Sequence, residues 1–419
     1  MVLKIKKNEI FPSLFIALAF FRPLRNIMIW IYPFILLSVF VFYDVFSYLK
    51  YNKHLNLSYR KNPSSAAYYI IKYALTLYLF IGGYSFCIIL VQHADFALLK
   101  RSMGSIFSCI SISIIAASIV YIYKDNSIKI MCNALIIEYI FEIINGIHTT
   151  GVQGFIAHII NPLMNNTAGY ESHEIGFSLF LFLIYYVLYD WKKYKLRIGI
   201  LLFFEWLIMK RIGWIGFVSA VLAYLFVNVP IKIGKRGRFK LGFNILFISS
   251  IIYLFFTCST EFQNFMNSIG ILNRFLLVDV LKPYFSFSFK YMGRGFGFVS
   301  YILPQKSIAG VYGLTAVHND ILKDFIELGA SVFLLVYYYF FLKIPRKLFM
   351  NCNTKSLSII FSLYVFVFLT LLTDNTFEYM AFMASLMILF SVIKTYNYVY
   401  PRRRENGCTS FSNCSNIQQ

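Results

Sequence analysis

The sequence predicts an all-α polytopic integral membrane protein. It reads as about 12 transmembrane helices with one large outer-face loop between helices 9 and 10. Three observations carry this. First, 59% of the 419 residues are apolar and only 14% are charged, against roughly 25% charged in soluble domains. A single soluble core stops growing at roughly 250–300 residues and could not hide so much apolar surface. Second, apolar runs of spanning length recur along the whole chain, bracketed by Lys or Arg. They are continuous, whereas a transmembrane barrel needs short alternating segments. Third, a single connection is long, about 259–322, and it is rich in aromatic residues rather than in the polar residues of a disordered linker.

Taken in order, the apolar segments are 9–21, 27–48, 66–91, 102–122, 130–147, 174–190, 197–209, 212–230, 241–258, 323–342, 356–372 and 379–396. The first follows Lys4, Lys6 and Lys7, and Ala17-Leu18-Ala19 imitates a cleavage site. Phe20 and Phe21 continue the run past it, so it reads as a membrane helix and not as a leader. The ninth and tenth flank the large loop, 259–322, in which Asn273 to Leu281 has the pattern of a short amphipathic helix. A second outer loop, about 148–173, carries His148, His158, Glu171 and His173. After the last segment, 397–419 reads as a cytoplasmic tail. The whole chain, 1–419, reads as a single transmembrane domain without repeats or paired interrupted helices.

The charge balance is 39 basic against 18 acidic residues, net +21. In a soluble domain this would suggest nucleic acid; here it reads as cytoplasmic loop charge, and no nucleic-acid partner is expected. Lys50, Lys53, Arg60 and Lys61, then Lys192, Lys193, Lys195 and Arg197, then Lys232 to Lys240, then Lys343, Arg346 and Lys347, and finally Arg402 to Arg404 mark one face. That face holds both termini. Seven scattered cysteines with no CxxC pair predict neither a disulfide framework nor a zinc site. Cys87, Cys109 and Cys132 fall in apolar runs and read as packing residues.

The basic residues left on the other face are the informative ones, because the positive-inside rule disfavours them there. An outward-facing anion site explains them. Lys210-Arg211 interrupts a long apolar stretch and reads as the outer junction of two helices, where a guanidinium suits bidentate phosphate binding. Arg274, on the loop helix, is a second cation of this kind. Gly293-Arg294-Gly295-Phe296-Gly297 is a glycine turn that lets the backbone approach something closely. It is neither a phosphate-binding P-loop nor a dinucleotide fingerprint. His318-Asn319-Asp320 stands where the loop enters the tenth helix. Asn319 or Asp320 suits the helix cap, and His318, at the water-facing mouth, suits proton acceptance near neutral pH. Glu171, His173 and Glu174 open the sixth helix. Asp320, Asp324 and Glu327 share a helix stripe, and Lys323 pairs with Glu327 four residues on.

Together these residues resemble the O-antigen polymerase (Wzy) family, within the wider group that includes O-antigen ligases. The likeness rests on Glu171 to Glu174, Lys210-Arg211, Arg274, Gly295 with Gly297, and His318 to Leu322 followed by Glu327 and Gly329. Residues 1–130 match only in hydropathy. The resemblance implies a glycosyltransferase of lipopolysaccharide biosynthesis in the bacterial inner membrane, with its active site in the periplasm. It would join oligosaccharide repeat units carried on undecaprenyl diphosphate. It implies His318 as general base, with Arg211 and Arg274 on the diphosphate. Lys210, Glu171, His173, Glu174, Arg294, Gly295, Gly297, Asn319 and Asp320 would contact substrate. No cofactor or metal is expected, because the lipid diphosphate is the activated leaving group. The partners implied are the lipid-linked oligosaccharide, membrane lipids and a chain-length regulator of the polysaccharide copolymerase type. Two other functions fit the pattern less well: an O-antigen ligase acting on lipid A core, and a non-enzymatic flippase or transporter of lipid-linked oligosaccharide.

Overall fold

The structure is a computed structural model. It describes residues 7–20, 63–162, 170, 172–229, 234–259, 261, 272–306, 317–349 and 352–396. The expected segment 27–48, Glu171 and the tail 397–419 lie outside the described residues.

Among the described residues every regular element is helical. The helices are α1 (Lys7–Phe20), α2 (Pro63–Ile70), α3 (Thr76–Val91), α4 (Phe96–Tyr123), α5 (Ser127–Ile160), α6 (His173–Asp190) and α7 (Lys195–Ile208). They continue with α8 (Arg211–Asn228), α9 (Lys235–Cys258), α10 (Leu272–Leu281), α11 (Phe298–Ile302), α12 (Asp320–Tyr338), α13 (Thr354–Leu371) and α14 (Met380–Tyr396). A π turn, Ile71–Leu75, joins α2 to α3, so the two form one rod. Among the described residues, six helical stretches are long and apolar enough to cross a membrane: Ala66–Val91, Phe96–Ile160, Arg211–Asn228, Lys235–Cys258, Asp320–Lys347 and Thr354–Thr373. The second of these holds both α4 and α5, with the turn Lys124–Asn126 between them. This is the build of a membrane-embedded helical protein.

Each apolar segment within the described residues coincides with helix, and the short loop helix is present as α10. One expectation is corrected. Residues 148–160 are not loop, because α5 runs on to Ile160 across a break at Gly151 (φ 74°, ψ 169°). The polar side chains of this stretch have partners in the helix or beside it. Thr149 Oγ1 donates to Asn145 O at 2.6 Å, Thr150 Oγ1 to Gly146 O at 2.9 Å, and His158 stacks on Tyr170 with centroids 4.7 Å apart.

Helix α6 is apolar on every side, the pattern of a helix with no face to solvent or lipid. Phe177, Phe180 and Phe182 are fully buried, and α6 packs against α5, α7, α8, α13 and α14. Helices α8 and α9 carry the opposite signature. Leu222, Phe226, Ile248 and Phe255 are more than half exposed or nearly so, which is a lipid-facing surface. Small residues let α8 approach its neighbours. A Cβ on Gly213 would meet Phe180 at 2.2 Å, and one on Gly216 would meet Phe366 at 2.7 Å. Close backbone approach of this kind drives helix association where water offers no hydrophobic push.

The bundle has two ends. At one lie Lys192 and Lys193 between α6 and α7, Lys235 and Arg236 in the first turn of α9, and Arg346 after α12. At the other lie the α3–α4 turn, the start of α6, the α7–α8 junction, the α9–α12 connection and the α13–α14 turn. Tyr301 OH to Asp95 at 2.8 Å and Gln92 Nε2 to Gly293 O at 2.7 Å bind these connections to one another.

Candidate active site

The second end holds a connected polar site centred on Asp374, in the turn between α13 and α14. Its side chain is 5% exposed. Oδ1 accepts from Tyr379 OH at 2.5 Å and from the Asn375 amide at 2.9 Å. Nδ1 of His318 lies 3.3 Å from Oδ1, and Nδ1 of His173 lies 3.3 Å from Oδ2. The two imidazoles stack with centroids 6.3 Å apart. Burial pushes the Asp374 carboxyl up. The hydrogen bonds from His173, His318 and Tyr379 outweigh burial and hold it well below the usual carboxylate range. The carboxylate is therefore ionised, and each histidine donates its Nδ1–H to it.

The partners of Nε2 distinguish the two histidines. Lys210 Nζ is 2.6 Å from Nε2 of His173. An ammonium only donates, so this nitrogen is the acceptor. His173 is then a link between a cation and a carboxylate. Nε2 of His318 takes no hydrogen bond among the described residues, and its side chain is 25% exposed. That nitrogen is the acceptor presented to the bundle mouth.

Local structure sets these positions. Asn319 is the N-cap of α12, its Oδ1 accepting from Leu322 N at 3.1 Å. The residue before it, His318, sits at φ 51°. A non-glycine residue there costs roughly 1–2 kcal/mol, offset here by the hydrogen bond to Asp374. Lys210 precedes α8 in extended conformation, after Met209 has ended α7 in the left-handed region. Two helix ends thus meet at an abrupt corner, which presents Lys210 and the exposed Arg211 side by side.

A second set of contacts ties the Asp374 turn to α12 and α6. Oδ2 of Asp320 accepts from the Phe377 amide at 2.9 Å and lies 3.4 Å from Thr376 Oγ1. Lys323 Nζ meets Glu378 Oε1 at 2.6 Å. Burial raises Glu378, but the charge and hydrogen bond of Lys323 outweigh it and leave the carboxyl lowered. Glu174 Oε1 accepts from the Ala381 amide at 2.9 Å and so caps α14 from a neighbouring helix.

The glycine turn serves the protein's own backbone. α12 is interrupted at Gly329 (φ 73°, ψ 169°), a region open essentially to glycine. The break exposes the carbonyls of Ile326 and Glu327. The Arg294 amide donates to both, at 3.1 and 3.2 Å, and the Gly295 amide donates to Glu327 O at 2.9 Å. Ala330 N returns a bond to Tyr291 O at 3.0 Å. A Cβ on Gly293 would sit 2.5 Å from Gly329 N, and one on Gly295 would sit 2.7 Å from Ile89. Arg294 Nε donates to Tyr284 O at 3.1 Å, so this arginine braces the loop. Gly297, at φ 84°, starts α11.

Of the residues the sequence singled out, the structure brings together His318 and His173 on Asp374 and Lys210 on His173, with Arg211 following Lys210 in the chain. Asn319, Asp320 and Glu174 lie beneath and make internal contacts. Arg294, Gly295 and Gly297 form the clasp on α12. Arg274 lies on α10, its side chain outside the described residues. Asp374, Glu378 and Tyr379 were absent from the sequence reading. Their signal was the polar run Thr373-Asp374-Asn375-Thr376 between two apolar helices at the outer end. Among the described residues no group of three or more His, Cys, Asp and Glu could hold a metal ion. An apolar groove of about 330 Å³ lies between α9 and α12, lined by Ile251, Phe255, Phe287, Phe325 and Phe333. No protein family, curated protein or solved structure matches this chain.

Proposed function

We propose that this chain is an O-antigen polymerase, a metal-independent glycosyltransferase acting on undecaprenyl-diphosphate-linked repeat units. The observation that carries the reading is the orientation of His318. A buried carboxylate holds its Nδ1–H, its Nε2 faces the mouth of the bundle, and the Lys210-Arg211 corner is joined to the same carboxylate through His173. A base held by an orienting group, beside cations, is what transfer from a diphosphate requires. The acceptor hydroxyl oxygen attacks the anomeric carbon of the growing glycan and its proton passes to Nε2 of His318. The bond from that carbon to the diphosphate oxygen breaks, and the lipid diphosphate leaves with the electron pair. Arg211, Lys210 and Arg274 bind the diphosphate and stabilise the charge that grows on it. The site end faces the periplasm, the basic end and both termini face the cytoplasm, and a chain-length regulator is the expected protein partner.

The test is deletion in a strain that makes a repeat-unit surface glycan, with complementation by the native chain and by His318→Ala at matched membrane level. Single repeat units on the lipid core, restored to a ladder only by the native chain, are the expected result. A bare core with polymer left on the carrier lipid would assign ligase activity instead. An unchanged ladder on deletion would remove both.

A further inference from the structure

Lys323 is a lysine with almost no access to solvent. It is 2% exposed on α12, one and a half turns beyond His318, and it lies among four carboxyl groups: Glu378, Glu327, Asp320 and Asp324. Its Nζ is 2.6 Å from Glu378 Oε1, 4.0 Å from Glu327 Oε2 and 5.3 Å from the centre of the Phe296 ring. Glu378 stands four residues after Asp374 and also accepts from Ser300 Oγ at 3.3 Å. Glu327 Oε1 accepts from the Val299 amide at 3.0 Å. One ammonium therefore joins three pieces of chain: the start of α12, the turn that carries Asp374, and the glycine loop with α11.

We infer that Lys323 and Glu378 are positioning residues, which fix the turn so that Asp374 holds His318 with Nε2 toward the bundle mouth. The turn meets α12 at three levels: His318 with Asp374, Asp320 with the Phe377 amide, and Lys323 with Glu378. The last pairs a buried ammonium with a partly exposed carboxylate, 2% against 33% exposed, so losing Glu378 takes the nearest counter-charge from a buried lysine. Neither residue touches substrate. Their effect reaches the chemistry through the His318–Asp374 distance, and a shift of about 1 Å at a reacting group costs roughly 10²-fold in rate. The inference rests on the proposed transfer for its rate readout, and on geometry alone for the modification readout.

The experiment uses the full chain in nanodiscs, as Glu378→Gln, Lys323→Met, Lys323→Arg and the double Lys323→Met/Glu378→Met variant. Folding is checked by size exclusion and thermal unfolding. Diethyl pyrocarbonate, read by mass spectrometry at His318, reports how that imidazole is presented whatever the protein does. In folded Glu378→Gln the modification rate of His318 should change at least about threefold. Glycan transfer should fall roughly 10–100-fold in kcat with KM little altered. Lys323→Arg should keep both near native, and the double variant should be no worse than Lys323→Met, since it also removes the Glu378 charge that the single variant leaves without its lysine. If Lys323→Met does not fold, Glu378→Gln and Lys323→Arg carry the test. Native His318 modification and native kcat in folded Glu378→Gln would overturn the inference. No transfer by the native chain would overturn the function, and the modification rates would still decide the positioning role.

Discussion

At the scale of single residues, Asp374 lets two jobs be separated by one atom. Its Oδ1 serves His318, Tyr379 and the Asn375 amide, while Oδ2 serves His173. In Asp374→Asn the amide oxygen is drawn to the Oδ1 position by its donors, and the NH2 group then faces His173. Two donors would meet there, so the His173–Lys210 arm is lost while His318 keeps its acceptor. Asparagine should therefore raise KM for the lipid-linked substrate more than it lowers kcat. Asp374→Ala removes the support of His318 and should cost on the order of 10²–10⁴-fold in kcat, the usual reach of general base catalysis. Steady-state transfer assays check this, and equal losses in both variants would contradict the division of labour. The same carboxylate gives a pH signature. Its folded value lies below that of a free aspartate, about 3.9. Its contribution to stability is thus present above about pH 4 and is lost as pH falls through the folded value. The gap in Tm between the native chain and Asp374→Asn should narrow as pH falls below about pH 4. His318→Ala should abolish transfer in folded protein, and Gln or Lys there should not restore it, because neither supplies a neutral base near pH 7.

At the scale of elements, the clasp between the glycine turn and α12 needs glycine on both sides. A Cβ on Gly329 would sit 2.3 Å from the Met292 carbonyl carbon at φ 73°, and one on Gly293 meets Gly329 N at 2.5 Å. Either alanine substitution must push backbone apart and should destabilise by at least about 2 kcal/mol. Gly83, mid-helix in α3, has nothing within 4 Å of its Cβ position, and alanine there should be neutral or stabilising by up to about 1 kcal/mol. Thermal unfolding of the three variants in one lipid checks the contrast. The clasp also marks the limit of what the sequence reveals. The helices were legible because apolar runs and cap residues are local signals: Asn319 caps α12 as its position before the run indicates. Gly295 was legible as a close approach, but what it approaches, Ile89 on α3, is far away in sequence. The α5 extension was not legible because His148 and His158 read as loop residues until the Tyr170 ring that stacks on His158 is in place. Asp374 was missed for the same reason. A single acid in a short turn carries no pattern of its own, and two histidines 201 and 56 residues away make it a site.

At the scale of the whole molecule, the two ends of the bundle differ in what their charges do. At the basic end, Lys192 and Lys193 on the α6–α7 connection and Lys235 and Arg236 in the first turn of α9 are exposed, as cations that meet anionic headgroups would be. At the site end, three cations are engaged inside the protein, Lys210 on His173, Lys323 on Glu378 and Arg294 on the Tyr284 carbonyl, while Arg211 and Lys306 are exposed. The positive-inside rule counts loop cations, so it predicts that the basic end faces the cytoplasm. Two positions read this directly, Lys193 on the α6–α7 connection and Lys306 after α11, both exposed. With the seven native cysteines replaced by serine, Lys306→Cys should react with a membrane-impermeant maleimide in cells whose outer membrane alone is permeabilised. Lys193→Cys should react only after the inner membrane is broken. The reverse pattern would invert the orientation and place His318 in the cytoplasm, where a periplasmic polymerase has no substrate. Labelling of both in intact inner membranes would mean that the connections at the two ends do not lie on opposite sides of one bilayer. The bundle would then lose the barrier that lets one end collect loop charge while the other keeps a buried lysine, two histidines and a carboxylate in a single network.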